Sequence, residues 1–137
     1  MRINFIGNFT QGPGGEPADE VHLTAELEAL GHNVQRVPRD VWKAFVEGYT
    51  PQEDWKLPIE ADINIICKWH HFSDGKYISR LQKLTKAPVL YFVWDPMVDD
   101  SDMEVNVTEE PNWHIKMGRQ ADLYLSGELG RASYYRK

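Results

Sequence analysis

The chain has 137 residues, 42% of them hydrophobic and 12% aromatic, with 15 Lys plus Arg against 21 Asp plus Glu. That length suits one domain and buries enough surface to need no covalent staple, and the apolar content separates it from disordered chains. A single cysteine, Cys67, excludes an internal disulfide and a multi-cysteine zinc site. No apolar run reaches the ~18 residues of a membrane helix, and no cleavable signal precedes the first strand-like segment, so a cytoplasmic protein is expected. The net charge of −6 argues against a nucleic-acid partner. All of it resides in Asp99, Asp100, Asp102, Glu104, Glu109 and Glu110, between Pro96 and Pro111; the remainder of the chain is balanced.

In chain order, Arg2 to Gly7 reads as a buried strand. Asn8 to Pro17, with Gly12, Pro13, Gly14 and Gly15, is a loop that no regular element would tolerate. A helix is predicted from Pro17 to about Leu30. Ala18, Val21, Ala25 and Ala29 form one stripe and Leu23, Leu27 and Leu30 another, which predicts burial on two sides. Gly31 ends that helix and Asn33 to Val37 is a second strand. Val41 to Val46 forms a short amphipathic helix through Val41-Trp42 and Phe45-Val46. Glu47 to Glu60 is a loop and Asp62 to Cys67 a third strand. Ser73-Asp74 supplies an N-cap for a helix with Tyr77, Ile78, Leu81 and Leu84 inward. Pro88 to Trp94, apolar nearly throughout, is a strand covered on both faces. The acidic loop follows, then a helix over about Asn112 to Arg119, a strand over Asp122 to Leu125 and a final helix from Glu128.

This alternation predicts an α/β protein, a Rossmann-like three-layer α/β/α arrangement with a mainly parallel sheet of about five or more strands. Ligands of such sheets bind beyond the carboxyl ends of the strands. That rule selects Asn8 to Glu16, Lys68 to Asp74, Asp95 to Asp102, and Ser126 to Glu128.

Gly14 and Gly15 lie between the first strand and first helix, where backbone N–H groups suit an anion; a plain turn is the alternative. Their spacing is neither G-x-G-x-x-G nor a P-loop. Beyond the third strand come Lys68, Trp69, His70 and His71, and beyond the fourth comes Asp95. A histidine here could accept a hydroxyl proton near neutral pH, with Asp95 orienting it. Trp69 either stacks on a sugar ring or packs on the core; the histidines are otherwise ordinary loop residues, and Asp95 before Pro96 otherwise an Asx turn.

Gly14-Gly15-Glu16, then Leu23, Leu27, Gly31-His32 and Val34 resemble the opening of retaining GT-B glycosyltransferases of the group 1/family 4 kind. Ala61-Asp62-Ile63-Asn64-Ile65, Pro88 to Asp95, and Ala121-Asp122-Leu123-Tyr124-Leu125-Ser126 followed by Glu128-Leu129 are similar to later passages of that family's N-terminal domain. The resemblance covers nearly the whole chain. It implies a single acceptor-side domain that a C-terminal donor domain would complete, transferring a sugar from a nucleotide-sugar to an unknown acceptor. The chain alone would be inactive. Carried over, Gly14, Gly15 and Glu16 approach the donor phosphates; His70, His71 and Asp95 are the acid-base candidates; Lys68, Trp69, Ser126 and Glu128 contact substrate. No tightly bound cofactor or metal is implied. The Trp94-Asp95 pair departs from the family, many of whose members have a histidine there. Self-association through the docking face is the other partner expected.

Two alternatives belong to other classes. A non-catalytic, flavodoxin-like binding or interaction domain would be complete at this length. Asp100-Ser101-Asp102 is a D-x-D triplet of the kind with which metal-dependent GT-A glycosyltransferases hold Mn²⁺ or Mg²⁺, and equally a solvated acidic loop.

Overall fold

The computed structural model describes residues 1–10, 18–49, 60–69, 71–72, 74–93 and 118–126. Among the described residues, five strands, β1 (Arg2–Gly7), β2 (Asn33–Pro38), β3 (Ile63–Cys67), β4 (Val89–Val93) and β5 (Leu123–Ser126), and three helices, α1 (Asp19–Ala29), α2 (Arg39–Val46) and α3 (Lys76–Thr85), with a further helical turn at 118–120, form an α/β fold of the Rossmann-like kind. Every strand pairing is parallel and the order is β2-β1-β3-β4-β5. The order changes direction at β1, so the crevice outside the carboxyl ends of β1 and β3 is the topological switch point.

Alternation along the strands separates two cores. Ile6, Val37, Ile66, Val89, Tyr91 and Val93 face α2 and α3, where they meet Trp42, Tyr77, Ile78 and Leu81. Trp42 is fully buried, and its indole N–H donates to the Tyr77 carbonyl at 3.1 Å, so burial strands no polar atom there. On the other face Ile3, Phe5, Val34, Ile65 and Cys67 pack with Leu23 and Leu27 of α1. Between the central strands, Asn4 and Asn64 stand opposite one another in register. Asn4 Nδ2 donates to Asn64 Oδ1 at 2.9 Å, and Asn64 Nδ2 to Thr85 Oγ1 at 2.7 Å, which satisfies a polar pair inside the sheet.

Three expectations change in detail. The alanine stripe of α1 is not buried: the helix turns Glu20 and Thr24 inward, flanked by the partly buried Leu23 and Leu27, while Leu30 is 75% exposed. The inward face tolerates polar groups because Thr24 Oγ1 donates to the Glu20 carbonyl at 2.8 Å and accepts Arg36 Nε–H at 2.9 Å. Secondly, the cap of α3 is displaced: Gly75 is the N-cap residue, and Asp74 Oδ1 accepts the Lys76 N–H at 2.8 Å. Thirdly, β4 alternates, with Val89, Tyr91 and Val93 buried and Leu90 and Phe92 only partly so. Gly31 does end α1, at φ +96°, with His32 N–H reaching back to the Leu27 carbonyl at 3.2 Å. The acidic segment, the helix expected from Glu128 and residues 112–117 of the helix expected over about Asn112 to Arg119 lie outside the described residues; residues 118–120 are helical.

The two Ala-Asp passages share one local device. Arg2 N–H donates to Asp62 Oδ2 at 2.7 Å while Asp62 N–H donates to the Arg2 carbonyl at 2.8 Å. Val89 N–H and Asp122 repeat this at 2.9 and 3.0 Å. An aspartate one residue before a parallel strand thus closes the open amide at the start of its neighbour.

Candidate functional site at the carboxyl edge of the sheet

The carboxyl ends of β1, β2 and β3 bring Gly7, Arg39 and Lys68-Trp69 to one edge, because Gly7 pairs with Pro38 and Ile6 with Ile66. Gly7 is required by its neighbours. A Cβ there would lie 2.9 Å from Glu20 Cγ, 3.1 Å from Phe5 Cε1 and 3.5 Å from Cys67 Sγ. The missing side chain lets Glu20, on the first turn of α1, sit against the sheet with only 9% exposure. Burial pushes its carboxyl above the usual carboxylate range; hydrogen bonds from the backbone N–H groups of Glu20 and Asn8, and the charge of Arg39, pull in the other direction without prevailing.

Arg39 opens α2 immediately after β2, with its guanidinium carbon 4.4 Å from the centre of the Trp69 ring. Burial lowers its pKa, and the negative charges of Glu20 and Asp40 oppose that shift. Trp69 is partly buried against the α2/α3 core and meets Phe72 edge-on at 5.1 Å between centroids. The exposed His71 ring lies 4.4 Å from it, again edge-on. The backbone holds this corner: Lys68 N–H donates to the Phe92 carbonyl at 2.8 Å, and Phe72 N–H to the Trp69 carbonyl at 2.8 Å.

Of the residues singled out in the sequence, Lys68, Trp69 and His71 therefore stand together at the switch point. Ser126 ends β5, two strands along from β3, with its backbone paired to Val93. Gly14, Gly15, Glu16, His70, Asp95 and Glu128, and the Asp100/Asp102 pair, lie outside the described residues. Among the described residues no group of three or more His, Cys, Asp or Glu side chains could hold a metal ion, and no helix is long and apolar enough to cross a membrane. Gly7, Glu20 and Arg39 escaped sequence reasoning. The available signal was a glycine ending an apolar strand, and a Glu20/Thr24 pair at i, i+4 on the face between the two apolar stripes.

No family model and no solved structure matches the chain. Over 85 residues, 60% of its length, the chain is similar to a probable disease resistance protein of Arabidopsis thaliana, at 34% identity. It spans about a tenth of the length of that curated relative.

Proposed function

We propose that the chain is the acceptor-side lobe of a glycosyltransferase that moves a sugar from a nucleotide-sugar to an acceptor hydroxyl, with a second Rossmann domain supplying most donor contacts. The observation that carries this reading is the gathering of Lys68, Trp69 and His71 with Arg39 at the switch point of a parallel sheet, beside the end of β1, the strand that Gly14 and Gly15 follow in the sequence. In the reaction the bond between the anomeric carbon and the donor phosphate breaks and a bond to the acceptor oxygen forms. The hydroxyl proton passes to an acid-base group, for which His71, His70 and Asp95 are the candidates, and the leaving diphosphate stays near Gly14, Gly15 and Glu16. Lys68, Trp69, Ser126 and Glu128 contact the sugars. Leu123 and Leu125, each 50% exposed on β5, are apolar surface of the sort a docking lobe covers.

The test is a titration of the isotopically labelled chain with UDP-, GDP- and ADP-sugars. Amide shifts concentrated at Lys68, Trp69 and His71 are expected, with no turnover by the chain alone. An absence of shifts up to ~10 mM, weaker than any usual substrate affinity, would remove the reading. Turnover by these 137 residues at the rate of a complete two-domain enzyme would remove its half-enzyme part.

A specific observation favours a second reading, a non-catalytic flavodoxin-like binding domain: the order β2-β1-β3-β4-β5 is the flavodoxin-like one. Under that reading the same edge binds a ligand, and no added domain elicits sugar transfer.

A further inference from the structure

We propose that Arg39 is an oxyanion-binding residue, its guanidinium carbon held 4.4 Å from the centre of the Trp69 ring so that its N–H groups can donate to a phosphoryl or carboxylate group at the switch point. The proposal rests on the placement of the site at the carboxyl edge of the sheet and not on sugar transfer.

Three observations carry it. The first is placement. The guanidinium carbon lies 4.4 Å from the centre of the Trp69 ring, a cation–π contact that holds the charge at this edge without supplying a carboxylate acceptor. The second is the absence of a carboxylate partner. Arg2 pairs with Glu60 at 2.8 Å and Arg36 pairs with Glu28, whereas among the described residues no carboxylate comes within 4.0 Å of the Arg39 guanidinium. Glu20, the nearest acid in electrostatic effect, is engaged by the backbone N–H groups of Asn8 and of Glu20 itself. The third is burial. Arg39 is partly withdrawn from water, and its lowered pKa records the cost to the charged form. A partly desolvated guanidinium whose hydrogen-bonding edge meets no carboxylate is unfavourable in the free protein. An oxyanion in the crevice would supply both the countercharge and the paired acceptors that match its N–H groups.

Location gives the same answer. Register places Pro38 beside Gly7, so Arg39 stands next to the loop that leaves β1 and across from the end of β3.

The experiment titrates the labelled chain, at constant ionic strength, with inorganic phosphate, glucose 1-phosphate, glucuronate and uncharged glucose, following the Arg39 Nε–Hε and Trp69 Nε1–H signals. A saturable shift with at least one anion and none with glucose is expected, weakened about tenfold or more in Arg39→Gln, partly restored in Arg39→Lys, and unchanged in Arg2→Gln. Backbone spectra of the variants establish that each is folded. Tighter binding of glucose 1-phosphate than of phosphate identifies the ligand as a phosphorylated sugar; equal binding identifies the free anion, and preference for glucuronate a carboxylate. All three uphold the proposal. No saturable shift with any anion, or equal affinity in Arg39→Gln, overturns it. Phosphate binding through Arg39 by a chain that ignores every nucleotide-sugar would end the sugar-transfer reading and leave this one standing.

Discussion

The two ends of the parallel sheet handle charge in opposite ways. At the amino end the charged groups are exposed and engaged: Asp62 and Asp122 close neighbouring strand amides, Arg2 pairs with Glu60, and the N-terminal amine meets His32 Nδ1 at 3.0 Å. At the carboxyl end Glu20 is buried against a glycine and Arg39 is partly buried against a tryptophan, without an ion pair between them. Helix α1 shows the contrast within one element. Its first turn holds Glu20, with a raised carboxyl pKa, and its last turns hold Glu28, whose pKa is lowered by the hydrogen bond from Arg36. Charges at the amino end solve the problem of open strand termini. Those at the carboxyl end carry a desolvation cost that their backbone and ring contacts offset only in part, and this is where a ligand is expected.

The largest effect should come from filling the carboxyl edge. Gly7→Ala puts a methyl 2.9 Å from Glu20 Cγ and 3.1 Å from the Phe5 ring. Overpacking of this kind costs ~1–3 kcal/mol, read as a lower urea midpoint with an unchanged slope. Because Glu20 supplies the closest atom, Glu20→Ala in the same chain should recover much of the loss. Strict additivity of the two changes would show that the close approach is not what Gly7 is there to permit.

At the amino edge the expected losses are smaller. Asp122→Ala leaves the Val89 N–H without its acceptor at 2.9 Å, and Asp62→Ala does the same to Arg2 at 2.7 Å. Each should cost ~1 kcal/mol, and the matching Asn variants, which keep an acceptor oxygen, should cost less. Amide exchange should speed up at Val89 or Arg2 in the corresponding alanine variant. Unchanged exchange at those amides would mean that the aspartates do not close the strand ends.

The same contrast explains what the sequence revealed. Strand positions and the inward residues of α3 follow from local periodicity, and Tyr77, Ile78 and Leu81 are buried where the pattern places them. Lys68, Trp69 and His71 were legible because they directly follow an apolar strand. The inward face of α1 was not. Ala25 and Ala29 signal a core stripe, but Gly7 on another element admits Glu20, and Arg36 on β2 satisfies Thr24. Arg39 was hidden for a related reason. A single arginine after a proline carries no pattern, and it becomes a site residue only through the Gly7–Pro38 register and the ring of Trp69, thirty residues further on. The Ala-Asp passages show the reverse: they served as marks of a family, while the geometry gives them a hydrogen-bonding duty at strand starts.

The smallest effects, and the sharpest test of the contrast, lie in the pH dependence of stability along α1. Glu20 holds its proton more tightly folded than unfolded, so its contribution is full below the usual 4.5 and is lost as pH rises through the raised folded value. Glu28 behaves oppositely. Its contribution is present above 4.5 and disappears as pH falls through the lowered folded value. Urea midpoints measured from about pH 3 to about pH 8 should show Glu20→Gln gaining on the wild type as pH rises. Glu28→Gln should match the wild type in acid and fall below it near neutrality. The Glu28 effect should shrink in high salt, because that pair is exposed, while the buried Glu20 effect should persist. If both variants ran parallel to the wild type across the range, the two ends of α1 would be electrostatically alike, and the case for a functional carboxyl edge would lose its energetic support.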